Sequence, residues 1–179
     1  PDEGMAIGRY DQWLRLLFIH EYTHILQFEH TPWLVNQINS AAGGWIFSSF
    51  PQLPIEITLQ LPDLLTNAPS FFTEGLAVYT ESTFTPGGRG VEGDFEMTRR
   101  MAFLEGKVPS YDQVFGRYLL DWPMAGYEYT WGASFVQHMV AKYGQDAPAK
   151  VLRQYGIMPY LGFGAACRVA IGASAEDVW

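Results

Sequence analysis

The sequence predicts a single, mainly α-helical domain with at most a small strand component. Three observations carry this. Apolar residues recur at helical spacing from Asp11 to Glu29 and again after Ser70. Glycines and prolines punctuate the ends of these stretches. Strict alternation of apolar and polar residues, the strand period, is found over Pro54-Ile55-Glu56-Ile57-Thr58-Leu59-Gln60-Leu61-Pro62, whose bounding prolines favour a sheet edge. A length of 179 residues suits one substantial core and is short for two, so 1–179 reads as one domain.

In chain order, the first helix spans Asp11 to about Glu29, with Trp13, Leu16, Leu17, Ile19, Ile25, Leu26 and Phe28 as its apolar positions. Pro32 limits it, because proline cannot continue the hydrogen-bond ladder. A short helix from Trp33 to about Ala42 stops at Gly43-Gly44. Ser70 is placed to cap a helix from Phe71 to about Thr83, with Glu74 in its first turn. The glycines of Thr85–Gly90 mark a loop. Further helices are expected at Asp94–Glu105, Tyr111–Phe115, Tyr127–Tyr143 (ended by Gly144), Ala147–Tyr155 (ended by Gly156) and around Leu161–Ile171.

Composition excludes several classes. The formal charge of -8 is concentrated in residues 1–88, and no basic stripe offers a nucleic-acid footprint. No apolar run reaches the roughly 18 residues that a spanning helix needs. Cys167 is the single cysteine, so a disulfide framework and a cysteine metal cage are both excluded. Between Thr31 and Gly88 there is no Lys or Arg, while Trp33, Trp45, Phe47, Phe50, Leu64, Leu65, Phe71 and Phe72 crowd together. Such a stretch is expected to be buried, to cover a cleft or to face a partner. The opening Pro1-Asp2-Glu3-Gly4 reads as the start of a piece of a longer precursor.

The chemistry is concentrated in Phe18-Ile19-His20-Glu21-Tyr22-Thr23-His24-Ile25-Leu26. On a helix, histidines four apart lie one turn above each other and can grip one metal ion. Glu21 projects to the same side, within reach of a water on that ion, as a general base does in zinc hydrolases. At this composition the motif is expected by chance about 0.005 times per chain. A catalytic zinc needs a third protein ligand, and two residues compete for that role. His30 stands at the metzincin offset, but Gln27 occupies the place of the glycine that lets the chain turn back. If the helix continues, His30 lies about 15 Å along the axis from His20 and cannot join. Glu74 is the stronger candidate, because it is a carboxylate on an otherwise apolar helix; its plainer role is to complement the helix dipole.

These residues resemble the gluzincins, the thermolysin-like and aminopeptidase N-like metallopeptidases of the H-E-x-x-H…E type. Phe72-Thr73-Glu74-Gly75-Leu76-Ala77-Val78-Tyr79 is similar to the family segment W-L-x-E-G-x-A-x-Y, whose Glu is the third zinc ligand. The 49 residues between His24 and Glu74 exceed the usual short spacer, which makes the region from Trp33 to Asn67 an insertion. Tyr127-Glu128-Tyr129-Thr130-Trp131-Gly132 resembles the aminopeptidase Y-x-x-G segment, whose Tyr donates to the oxyanion; Tyr129 fits that place, with Tyr127 in reserve. The order of motifs, closing on Gly172-x-Ser174-x-Glu176-Asp177-x-Trp179, is most similar to bacterial peptidase-like domains that precede β-propellers in large exported proteins.

The resemblance implies a zincin-like helical catalytic domain whose upstream sheet is absent or reduced. It further implies Zn²⁺ held by His20, His24 and Glu74, with Glu21 as base and Tyr129 as oxyanion donor. A peptide or protein substrate and an extracytoplasmic location follow from the same likeness. Further domains of the precursor are expected to pack on residues 33–72. Glu81, two turns beyond Glu74, is a candidate to support a histidine from behind. The rival expectation is a non-catalytic metal-binding or partner-binding domain of a larger exported protein.

Overall fold

The computed structural model describes residues 13–29, 68–115 and 127–179, together with the isolated positions 37 and 41. The expected helix at 33–42 falls almost wholly outside these residues, and the expected strand at 55–61, His30 and most of the 33–72 surface fall outside them too. Among the described residues there are eight α-helices and no strand. They are α1 (Trp13–Glu29), α2 (Ser70–Phe84), α3 (Gly93–Leu104), α4 (Tyr111–Phe115), α5 (Tyr127–Tyr143), α6 (Ala147–Ile157), α7 (Phe163–Ile171) and α8 (Ala175–Val178). Short 3-10 turns at Arg89–Val91 and Pro159–Leu161 precede α3 and α7. No helix among the described residues is long and apolar enough to cross a membrane.

The core forms where α2 and α5 pack along each other, with α6, α7 and α8 closing one end. Phe71 and Phe72 open α2 and are fully buried. Phe71 meets Phe135, Phe163 and Trp179 edge-on, at centroid distances of 5.3, 6.0 and 6.3 Å. Aromatic rings favour this edge-to-face arrangement because the positive edge of one faces the negative face of the next. Burying a side chain of this size contributes about 1.5–3 kcal/mol. The apolar density at the start of α2 is therefore core, and it anchors the helix that carries Glu74.

The crossing of α2 and α5 is a backbone-to-backbone contact. A Cβ on Gly75 would strike the Gly132 carbonyl group, and a Cβ on Gly132 would strike the Phe71 carbonyl oxygen. Only glycine permits this approach. It sets Glu74 and Tyr129, each close in sequence to a crossing glycine, beside the same gap.

Several boundaries differ from the sequence expectation. Ser70 is the first helical residue of α2, and the cap is Pro69, with no side-chain hydrogen bond. Glu74 consequently sits in the second turn, too deep to serve the dipole of the first. Gly144, at φ 96°, follows the last residue of α5 as expected, whereas α6 runs through Gly156 to Ile157. The final helix α8 was not foreseen. Ser174 and Asp177 form a reciprocal capping box that starts it.

The first helix turns an unexpected face inward. Leu16, His20, Thr23 and Gln27, spaced four, three and four apart, are its buried positions, and three of them are polar. Trp13, Ile25 and Leu26, read from the sequence as inward apolar positions, are exposed, along with Leu14, Phe18 and Tyr22. The inward face of α1 is polar because it meets the Glu74 and Glu81 face of α2.

Candidate metal centre

Three donor atoms from two helices converge on one point. His20 Nε2 and His24 Nε2 are 3.2 Å apart, and each lies 3.3 Å from Glu74 Oε2. This is the group among the described residues with the proximity to hold a metal ion. The histidines meet because they are one turn apart on α1; Glu74 joins them because α2 packs alongside α1.

The outer nitrogen of each imidazole fixes which tautomer is present. Glu81 is completely buried, and its Oε2 lies 3.0 Å from His20 Nδ1. His20 Nδ1 faces two partners of opposite kind, the Glu81 carboxylate, which only accepts, and Arg89 Nη2 at 2.8 Å, which only donates; with Nη2 turned to Glu81 Oε2 at 2.9 Å, Nδ1 carries the hydrogen and Nε2 keeps its lone pair. His24 reaches the same state through Gln27. The Gln27 amide nitrogen donates to the Thr73 carbonyl at 2.9 Å, which turns its oxygen toward His24 Nδ1 at 3.0 Å. Both Nε2 lone pairs therefore point at Glu74 Oε2, a buried oxygen that has no hydrogen-bond partner of its own. Three converging lone pairs repel unless protons or a cation lie among them, and this donor set fits a cation.

The electrostatics agree. Burial pushes the Glu74 carboxyl up, but His20 and His24 outweigh it and hold the group down at about 2. Burial lowers His20, and the carboxylates of Glu74 and Glu81 more than reverse this, against Arg89, so the imidazole stands above its ordinary value. For His24 the Glu74 carboxylate leads, and the imidazole is likewise raised. For Glu81, burial is opposed by His20 and Arg89, and the net effect is downward. Without a metal, the raised imidazole values favour protons on the histidines, which would supply positive charge among these donors.

Tyr129 lies at the rim of this cluster, its ring centroid 6.1 Å from that of His20. Its phenol is raised by burial and then by the Glu74 charge, with a smaller contribution from Glu21. Glu21 is exposed and stands outside the three-donor group. Tyr127 is the first residue of α5, and its side chain falls outside the described residues.

Two participants escaped the sequence reading. From the sequence, Gln27 stands out only as a departure from the metzincin glycine, although its spacing of three from His24 places it on the same face. Arg89 lies within what the sequence marks only as a glycine loop. Its signal is positional, since it is the first Lys or Arg after the stretch from Thr31 to Gly88, whose charged side chains Glu56, Asp63, Glu74 and Glu81 are all acidic. It binds Glu81 through Nε, Nη2 and its own backbone N–H. Comparison with protein-family models, curated proteins and solved structures finds no match to this chain.

Proposed function

We propose that the chain is a zinc-dependent metallopeptidase domain in which His20, His24 and Glu74 hold the ion and Glu21 is the general base. The observation that carries this reading is the donor triangle with edges of 3.2, 3.3 and 3.3 Å. Zinc takes His nitrogen and carboxylate oxygen at about 2.0–2.2 Å, and a tetrahedron of that size has edges of about 3.3–3.5 Å. Two neutral imidazoles and one carboxylate leave a bound dication with net positive charge and an open fourth position, the pattern of a catalytic site.

When bound, zinc supplies Lewis acidity toward a carbonyl and lowers the pKa of water from 15.7 to about 7. The residues of this chain then divide the remaining work. Glu21, exposed beside His20, accepts a proton from the attacking water and returns it to the leaving amine. Tyr129 is kept protonated by burial and by the Glu74 charge, so its hydroxyl is available as a donor to an oxyanion. Glu81 and Gln27 hold the histidines in the tautomer that presents Nε2.

The deciding experiment combines metal analysis of purified protein with turnover of a mixed peptide library by wild type and Glu21→Gln. The expected result is one zinc per chain in both, with hydrolysis only in wild type. Zinc in both with hydrolysis in neither would turn the reading to a metal-stabilised binding domain. Absence of zinc would remove the metal centre.

A further inference from the structure

The loop after α2 closes a circuit that the helices leave open. Gly88 lies against the Ser82 backbone where a side chain has no room, and the Gly90 N–H donates to Ser82 Oγ at 3.0 Å. The 3-10 turn Arg89–Val91 is thereby seated on α2 beside Glu81. Arg89 brings three donors to one carboxylate: its backbone N–H and Nε reach Oε1 at 3.0 and 2.8 Å, and Nη2 reaches Oε2 at 2.9 Å. Oε2 is also the oxygen that receives His20 Nδ1, and Nη2 and Nδ1 stand 2.8 Å apart on either approach to it. With both oxygens engaged, the carboxylate is not free to rotate. The guanidinium is confined in turn, its Cζ lying 4.8 Å from the Tyr129 ring centroid.

We propose that Arg89 is a positioning residue for the metal site: by clamping Glu81 it fixes the rotation and tautomer of His20 and so the direction in which Nε2 points. This rests on the reading of His20, His24 and Glu74 as ligands. The task suits arginine rather than lysine, because a planar fork engages both carboxylate oxygens and lies flat against an aromatic ring, whereas an ammonium supplies a charge without the plane. Arg89 touches neither the ion's place nor a reacting atom; its Nη2 lies 2.8 Å from His20 Nδ1, but both groups donate, so it acts on the imidazole through Glu81.

The test measures zinc affinity by competition with a chromophoric chelator, and the visible absorption of the cobalt-substituted protein. The proteins are wild type, Arg89→Lys, Glu81→Gln and Glu81→Gln/Arg89→Met. The double variant strands no buried charge, so it remains informative where a single variant fails to fold. Arg89→Lys is expected to bind zinc about tenfold more weakly and to shift the cobalt bands. In the Glu81→Gln background, Arg89→Met is expected to cost no further affinity, since residues acting through one contact are not additive. Unchanged affinity and spectrum in Arg89→Lys overturns the proposal, as does a further tenfold loss when Arg89→Met is added to Glu81→Gln. A wild-type chain that binds no zinc instead removes the metal-centre reading, and the proposal with it.

Discussion

Gln27 donates its side-chain amide to the Thr73 carbonyl at 2.9 Å, fastening α1 to α2 one residue before Glu74. The same side chain receives His24 Nδ1. One amide thus sets both the spacing of the two helices and the orientation of a histidine. Gln27→Met keeps the volume and removes both bonds, and zinc affinity should fall about 10–100-fold. Chelator competition measures this; equal affinities in the variant and wild type would show that His24 is held by other means.

Removal of the donors themselves separates the two ligand sets that the sequence allows. His20→Ala, His24→Ala and Glu74→Ala should each abolish stoichiometric zinc binding, and His30→Ala should leave it intact. Zinc retained in Glu74→Ala but lost in His30→Ala would move the site to a metzincin-like arrangement. Elemental analysis of the four dialysed proteins decides it.

Much of this arrangement was legible because it is local. The spacing of His20 and His24 is a property of one helix, and the carboxylate of Glu74 among the mostly apolar residues Phe71 to Val78 marks itself. What could not be read depends on long-range packing. No pattern in α1 announces that its polar stripe faces inward, because hydropathy assigns Ile25 and Leu26 to a core that α2 does not offer. The Gly75 and Gly132 crossing pairs positions 57 residues apart. Arg89 reaches His20 across 69.

Tyr129 and Tyr127 can be separated by rate. Tyr129→Phe removes a donor beside His20, and the expected loss is about 10²–10³ in turnover, with little change in KM. Tyr127→Phe should be near normal. Steady-state kinetics of the two variants check the assignment, and the reverse pattern would shift it by two positions.

The dependence of stability on pH should differ in sign with and without metal. Glu74 is held at about 2, below its ordinary 4.5, so its contribution is present above 4.5 and is lost as pH falls toward 2. His20 and His24 are raised above 6.5, so theirs is complete below 6.5 and is lost as pH rises through the raised values. Metal-free protein should therefore gain most from these groups between about pH 4.5 and 6.5. Zinc must displace the imidazole protons, so its stabilising effect should grow as pH rises toward the raised histidine values. Thermal unfolding with zinc and with chelator measures the difference, and a constant gap across that rise would mean that the metal-free histidines are already neutral.

The polar inner face of α1 has a bearing on cooperativity. Leu16 is its one fully buried apolar side chain among the described residues, and its other buried positions, His20, Thr23 and Gln27, are polar. The aromatic core around Phe71, by contrast, holds α2, α5 and α7 together without help from charge. The chain thus contains a hydrocarbon-glued body and a helix fastened to it largely by polar groups, the Gln27 to Thr73 hydrogen bond and the His20, His24 and Glu74 cluster that protons or an ion complete. In such a construction the fastener governs when the helix opens: stripping the ion at alkaline pH should let the amides of α1 exchange with solvent as a separate unit while the body stays closed.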